Sequence, residues 1–234
     1  MTQWLVFDVG ETLASEERWL ASWAEWLGVP RGTFFAALGA LIEARRPYQE
    51  LFQLFRPGID LEAERQARLA AGMINHLVPE DLYPDALPTL SWARQAGYEV
   101  GVAGNTSAAT EDFMRGLDFK ADFTGSAERW GVSKPDPAFF RRILAEAGCR
   151  PEEATYVGDS ISSDVLPALD AGLQAIHIAR GPWGAVQARW PEAQGLRRIR
   201  SLAELPAILG GLAFRGIAQV PTISGARWFG ARNG

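Results

Sequence analysis

Asp8 closes an apolar run. In Trp4-Leu-Val-Phe-Asp8-Val-Gly10-Glu11-Thr12-Leu13 the chain reads as a strand that ends on a carboxylate and then turns through a glycine. A carboxylate at a strand end is exposed, and Gly10 admits backbone angles that other residues avoid, so the amides after it can curl round an anion. That arrangement suits a carboxylate acting as a nucleophile on phosphate. Alone, the same residues fit a turn or a helix cap better. Three other blocks reverse that balance. Asn105 and Thr106 follow the apolar run 98–104, Lys134 stands in Ser133-Lys134-Pro-Asp-Pro137, and Asp159 follows the run 154–158, with Asp164 five residues further on.

Groups so far apart in sequence need a scaffold that gathers strand ends. Residues 3 to 8 read as a first strand. From about 15 to 78 apolar positions recur at helical spacing, broken near Pro30, Pro47, Pro57 and Gly58, and no strand is convincing. After that block, helices over roughly 84–96, 107–117, 136–148 and 162–171 alternate with strands over 98–104, 122–125, 154–158 and 174–178. Helices that separate strands imply parallel pairing and right-handed crossovers. In such sheets ligands gather beyond the carboxyl ends of the strands, where strand order reverses. Asp8, Asn105, Thr106, Lys134 and Asp159 all fall at strand ends or in loops.

Composition narrows the partners. The 234 residues are 47% hydrophobic, ample for a buried interior, and the net charge of −5 argues against nucleic acid as the main partner. Arg197, Arg198 and Arg200 form a local basic group that reads as a solvated face. No apolar stretch reaches the length of a membrane span and no signal peptide is evident, so a cytoplasmic location is expected. Cys149 is the only cysteine, which excludes an internal disulfide and a cysteine-rich zinc site. Of the 23 lysines and arginines only Lys120 and Lys134 are lysines, which makes the position of each more noticeable.

In this order, Phe7-Asp8-Val-Gly-Glu-Thr-Leu13, Gly104-Asn105-Thr106, Ser133-Lys134-Pro-Asp-Pro137 and Val157-Gly158-Asp159-Ser-Ile-Ser-Ser-Asp164 resemble the four motif blocks of the haloacid dehalogenase superfamily. The resemblance covers the chain to about residue 180. It implies an α/β fold with a Rossmann-like, doubly wound parallel sheet and an α-helical cap, the core comprising residues 1–13 and 84–211 and the cap residues 14–83. It also implies an aspartyl-phosphate mechanism on a small phosphorylated metabolite. Asp8 would attack phosphorus, and Asp8, the Gly10 carbonyl and Asp159 would hold Mg2+, a hard cation suited to oxygen ligands. Asp164 would support that shell, Lys134 would neutralise both Asp8 and the phosphoryl oxygens, and Gly10 amides, Asn105 and Thr106 would cradle those oxygens.

Two departures matter. Phosphatases of this superfamily usually carry a second aspartate two residues after the nucleophile, as acid and base; here that position is Gly10. General acid/base groups contribute roughly 10²- to 10⁴-fold, so an unreplaced loss is severe. Glu11 is the nearest substitute in sequence. Gly104 likewise stands where a phosphate-binding serine or threonine is common, and Thr106, two residues on, is the candidate to compensate. A protein that binds phosphate without efficient turnover is therefore the second reading. A phosphonatase would need a lysine in the cap, and 14–83 contains none; a dehalogenase would carry an aromatic residue at position 10 and Ser-Asn in the fourth block.

Substrate choice is expected from the cap. Trp19, Trp23 and Trp26, with Leu20 and Leu27, make one helical face that reads as packing within the cap rather than as a stacking surface. Arg18, Arg45 and Arg46 read as solvated helix charges, with a second-anion site as the alternative. His76 and His177 occupy no motif. Ser201-Leu-Ala-Glu-Leu205 looks like the superfamily's final helix, and the 212–234 tail has no clear periodicity.

Overall fold

Strand β1 (Gln3–Phe7) is buried on both faces, with Leu5, Val6 and Phe7 fully excluded from solvent. Alternate side chains of a strand point to opposite faces, so Leu5 and Phe7 enter one apolar core with Val100, Val102, Val157 and Ile176. Val6 enters a second core with Ala103, Phe139, Phe140 and Tyr156. Burial on both faces is the mark of a central parallel strand.

The computed structural model describes residues 3–73, 76–117, 119 and 121–210. After β1 come four helices: α1 (Glu17–Trp26), α2 (Arg31–Glu43), α3 (Glu50–Phe55) and α4 (Leu61–Ala70). They are followed by α5 (Ala86–Gln95), β2 (Tyr98–Gly104), α6 (Ala108–Gly116), β3 (Phe123–Ser126), α7 (Ala127–Trp130), α8 (Pro137–Ala147) and β4 (Ala154–Gly158). The described chain continues through α9 (Leu166–Asp170), β5 (Gln174–Ile178), α10 (Gly181–Gln187), β6 (Arg198–Ile199) and α11 (Leu205–Leu209).

All strand pairs are parallel, in the order β3-β2-β1-β4-β5-β6. The chain winds outward from β1 in one direction to β3, then crosses back to β4 on the other side. The crevice at this reversal lies between β1 and β4, and Asp8 and Asp159 are the residues that follow those two strands. The expected doubly wound sheet is therefore present.

The four helices after β1 breaks where proline and glycine interrupt the pattern, at Pro30, Pro47, and Pro57-Gly58. They enclose a third apolar core of Leu20, Trp23, Phe34, Leu38, Leu51 and Phe52. Trp23 meets Phe52 edge to face at 4.8 Å between ring centroids, and the Arg68 guanidinium lies 4.1 Å from the Trp23 ring. The tryptophans therefore pack the helical block, as expected. Trp190 is buried in this same core, and Trp183 and Val186 pack against it. Segment 181–190, assigned by sequence to the sheet-bearing part, thus shares the core of the helical block.

Several boundaries differ from the sequence reading. The expected helix over 162–171 opens as a wide π-type turn, Ile161–Val165, in which the Val165 amide donates to the Ser160 carbonyl. The basic group near 197–200 contains a two-residue edge strand, β6, whose Arg198 is exposed. The final helix lies at Leu205–Leu209, later than Ser201–Leu205. Lys120 and the 212–234 tail lie outside the described residues.

Candidate active site

Main-chain pairing carries Asp8 to the crevice: its amide donates to the Val157 carbonyl at 2.9 Å, one residue past β1. On the far side Asp159 follows β4, and the π-type turn returns Asp164 beneath it. The Asp164 carboxylate accepts from the Ser160 amide at 2.8 Å and from the Lys134 ammonium at 2.5 Å. The same ammonium donates to Asp8 Oδ1 at 2.5 Å. Lys134 thus bridges the first and fourth blocks, with its Nζ 5.6 Å and 5.9 Å from the ring centroids of Tyr156 and Phe139. All four charged residues are buried.

Burial sets the electrostatics. It raises the Asp8 carboxyl to about 6, against the opposing pull of Lys134 and with a further push from Asp164. Asp159 is held well above the usual carboxylate range by burial, Asp164 and Asp8. Burial alone would lower the Lys134 ammonium, but Asp164 and Asp8 outweigh it and keep the lysine charged. One cation faces three carboxylates, so the pocket carries an excess of negative charge. Carboxylate oxygens of Asp8, Asp159 and Asp164 lie within 4.8 Å of one another, and no described residue donates a hydrogen bond to the Asp159 carboxylate. An all-oxygen, electron-rich and partly unpartnered set of this kind fits a hard divalent cation.

The loop after Asp8 differs from the sequence expectation. Gly10 was expected to supply the unusual backbone angle, but its φ is not positive; the left-handed residue is Glu11, with φ 51°. A non-glycine residue in that region is held by its surroundings. Here the Glu11 amide donates to Ala14 O at 2.6 Å, and its carboxylate accepts from Tyr83 Oη at 2.5 Å and from the Glu16 amide at 3.0 Å. The Arg180 guanidinium donates to the carbonyls of Glu11 and Thr12, pairs with Asp85 at 2.9 Å, and stacks 3.8 Å from the Tyr83 ring centroid. Glu11, the nearest candidate in sequence for a substitute acid/base, therefore has both carboxylate oxygens engaged in holding the loop.

Gly10 matters for space instead. A Cβ built there would lie 2.7 Å from Glu16 Oε1 and 2.9 Å from its Cδ. Burial, with Glu11 and then Asp8, raises the Glu16 carboxyl to about 8. Sequence reasoning missed Glu16, because a glutamate opening a helix reads as a first-turn charge; it also missed Tyr83 and Arg180, which carry no motif.

The second and third blocks interlock. Asn105 donates through Nδ2 to the Lys134 carbonyl at 2.9 Å and accepts the Lys134 amide through Oδ1 at 2.8 Å. Its amide grips the lysine loop, where the sequence reading had it cradle phosphate. The Thr106 hydroxyl is buried with no partner among the described residues. At Gly104 a Cβ would lie 2.5 Å from Asp8 Oδ1, so only bare backbone passes this close to the carboxylate.

Other polar candidates serve the fold. Arg18 pairs with Asp81 at 2.6 Å, Arg45 with Glu192 at 2.8 Å, and Arg46 with Glu50. His177 is buried in β5, and burial lowers its pKa. His76 is exposed.

Comparison with known proteins places the chain in a family. The family model of haloacid dehalogenase-like hydrolases matches residues 2–172. The glyceraldehyde 3-phosphate phosphatase of Methanopyrus kandleri is 34% identical over 110 residues, 46% of this chain and 47% of that protein. The phosphoserine phosphatase of Thermus thermophilus is 30% identical over 177 residues, 72% of this chain and 68% of that protein. The chain thus spans about half the length of the first relative and about two thirds of the second. A crystal structure of a haloacid dehalogenase-type phosphatase from Thermococcus onnurineus superposes with a TM-score of 0.55 at 25% identity, over 90% of this chain and 99% of that one.

Proposed function

The chain belongs to the haloacid dehalogenase-like hydrolases, and from that premise we propose that it is a magnesium-dependent phosphatase of a small phosphate monoester. The observation that carries this reading is the bridge of Lys134 between Asp8 and Asp164 at the strand-order reversal, with Asp159 beside it. Asp8 attacks phosphorus and carries the phosphoryl group until water displaces it. Lys134 holds Asp8 in place and neutralises phosphoryl oxygens as a fixed point charge. Asn105 positions that lysine through its main chain, and the unpartnered Thr106 hydroxyl donates to the phosphate. Asp8, Asp159 and the Gly10 carbonyl would hold Mg2+, with Asp164 supporting; the ion would supply charge neutralisation on the transferring group.

The helical block, residues 14–83, acts as the cap that selects the alcohol part of the ester. The names of the two phosphatase relatives, one for glyceraldehyde 3-phosphate and one for phosphoserine, support a small phosphorylated metabolite as substrate. Among the described residues no helix is long and apolar enough to cross a membrane, and a cytoplasmic setting fits such a substrate. Gly10, which offers no acid, is the observation behind the second reading, a phosphate-binding protein without turnover. The test is a panel of phosphate monoesters, with and without Mg2+, using Asp8→Asn as control. Turnover that requires both Mg2+ and Asp8 is expected. Release of phosphate no faster than the Asp8→Asn control on every ester would overturn the enzyme reading.

A further inference from the structure

Cleaving an unactivated phosphate ester leaves an alkoxide, which must take a proton as it departs. Several acidic side chains lie around Asp8, and the partners of each carboxyl separate them. Asp164 is bonded to Lys134 and the Ser160 amide, Glu11 to Tyr83 and the Glu16 amide, and Asp159 belongs to the oxygen cluster with Asp8. Glu16 remains. Its main chain is pinned, the amide donating to Glu11 and the carbonyl accepting from Leu20 at 2.9 Å. Its side chain makes no capping bond to α1, whose N-terminus it opens. The carboxyl turns back instead onto Gly10, into the volume that a Cβ there would need.

We propose that Glu16 is the general acid and base of this site, its carboxyl filling from six residues away the space that a side chain at position 10 would occupy. The proposal rests on the phosphatase reading. As an Asp8 oxygen bonds to phosphorus and the ester P–O bond breaks, the Glu16 carboxyl gives its proton to the leaving oxygen. In the second half the Glu16 carboxylate takes a proton from the attacking water. The new P–O bond forms, the Asp8 O–P bond breaks, and Asp8 returns as carboxylate with Glu16 again protonated. One water is consumed and the alcohol and phosphate leave.

The Glu16 carboxyl where it stands and an acid at position 10 would compete for one volume, and a side chain at position 10 would have to turn the Glu16 carboxyl away. Gly10 has a backbone that an aspartate tolerates, so only the Glu16 carboxyl stands in the way.

The test compares wild type, Glu16→Gln, Glu16→Ala, Gly10→Asp and the double variant G10D/E16A, with Mg2+, on p-nitrophenyl phosphate and glycerol phosphate. Nitrophenolate leaves without a proton; glycerol does not. Glu16→Gln is expected to lose about 10²- to 10⁴-fold in turnover of glycerol phosphate while retaining a rapid burst of nitrophenolate. The double variant is expected to recover at least about tenfold over Glu16→Ala on glycerol phosphate, whereas Gly10→Asp alone gains nothing over wild type. Glu16→Gln that turns over glycerol phosphate within about threefold of wild type would overturn the proposal. So would equal loss of the burst and of glycerol phosphate turnover in a folded Glu16→Gln protein, which marks a structural role. Wild type that cleaves neither of these esters nor any other of the panel would instead overturn the phosphatase reading itself.

Discussion

At the scale of single residues, the site is a set of acids kept in a place that disfavours their charge. Burial raises Asp8 to about 6 and Glu16 to about 8, and raises Asp159 as well. In the unfolded chain all three return to ordinary carboxylate values, so between those limits the folded chain holds protons that the unfolded chain has lost. Their contribution to stability is complete below the unfolded values and is lost as pH rises through about 6 and about 8. Lys134 titrates above this window and does not alter the sign. The metal-free protein is therefore expected to show a melting temperature that rises as pH falls from about 9 to about 5, with saturating Mg2+ stabilising most at the alkaline end. A melting temperature that falls steadily over that acidification would contradict the burial described here. Asp8, Lys134, Asp159 and Asp164 were legible because each sits in a short block with a defined spacing. Glu16 was not, because its proximity to Gly10 depends on how the chain folds back between the two, and no local pattern encodes that return.

At the scale of elements, strand ends supply the charges and one loop supplies their precision. The 9–16 loop is clamped from outside by Arg180 at the end of β5, by Tyr83, and by Asp85, which also accepts from Ser201 Oγ at 2.6 Å and the Leu202 amide at 2.9 Å. Arg180→Ala leaves two carbonyls and a half-satisfied carboxylate largely excluded from water. It is expected to destabilise the fold by about 3 kcal/mol in urea unfolding, with Arg180→Lys recovering little because a point charge cannot replace the planar fork. A cost below about 0.5 kcal/mol for Arg180→Ala would show that the loop is held without the clamp. The central strands were readable from apolar runs bounded by glycine and polar residues. The clamp was not, since Tyr83, Asp85 and Arg180 meet only through the tertiary fold. β6 escaped for a different reason: two residues are too few to show alternation, and its arginine reads as surface.

At the scale of the whole molecule, the sheet and the helical block share apolar material through residues 181–190. Trp190 sits in the helical core, and Arg45 ties the two parts from outside, with its guanidinium 4.3 Å from the Trp190 ring and its paired carboxylate, Glu192, two residues further on. Trp190→Ala is expected to cost about 3 to 5 kcal/mol, read as a lower midpoint in a denaturant titration. A change of less than about 1 kcal/mol would place this tryptophan outside the shared core. The split into a core and a helical insertion was visible in sequence from the change of hydrophobic period after residue 14, whereas the return of 181–190 to the insertion was not. Both parts serve one claim, that Asp8 becomes phosphorylated during turnover. The direct measurement is mass spectrometry of protein quenched in acid within the first turnover of a phosphate ester with Mg2+. The account predicts the added mass of one phosphoryl group on the peptide containing Asp8, absent from Asp8→Asn; steady turnover with no phosphoryl group on that peptide at any quench time would contradict it.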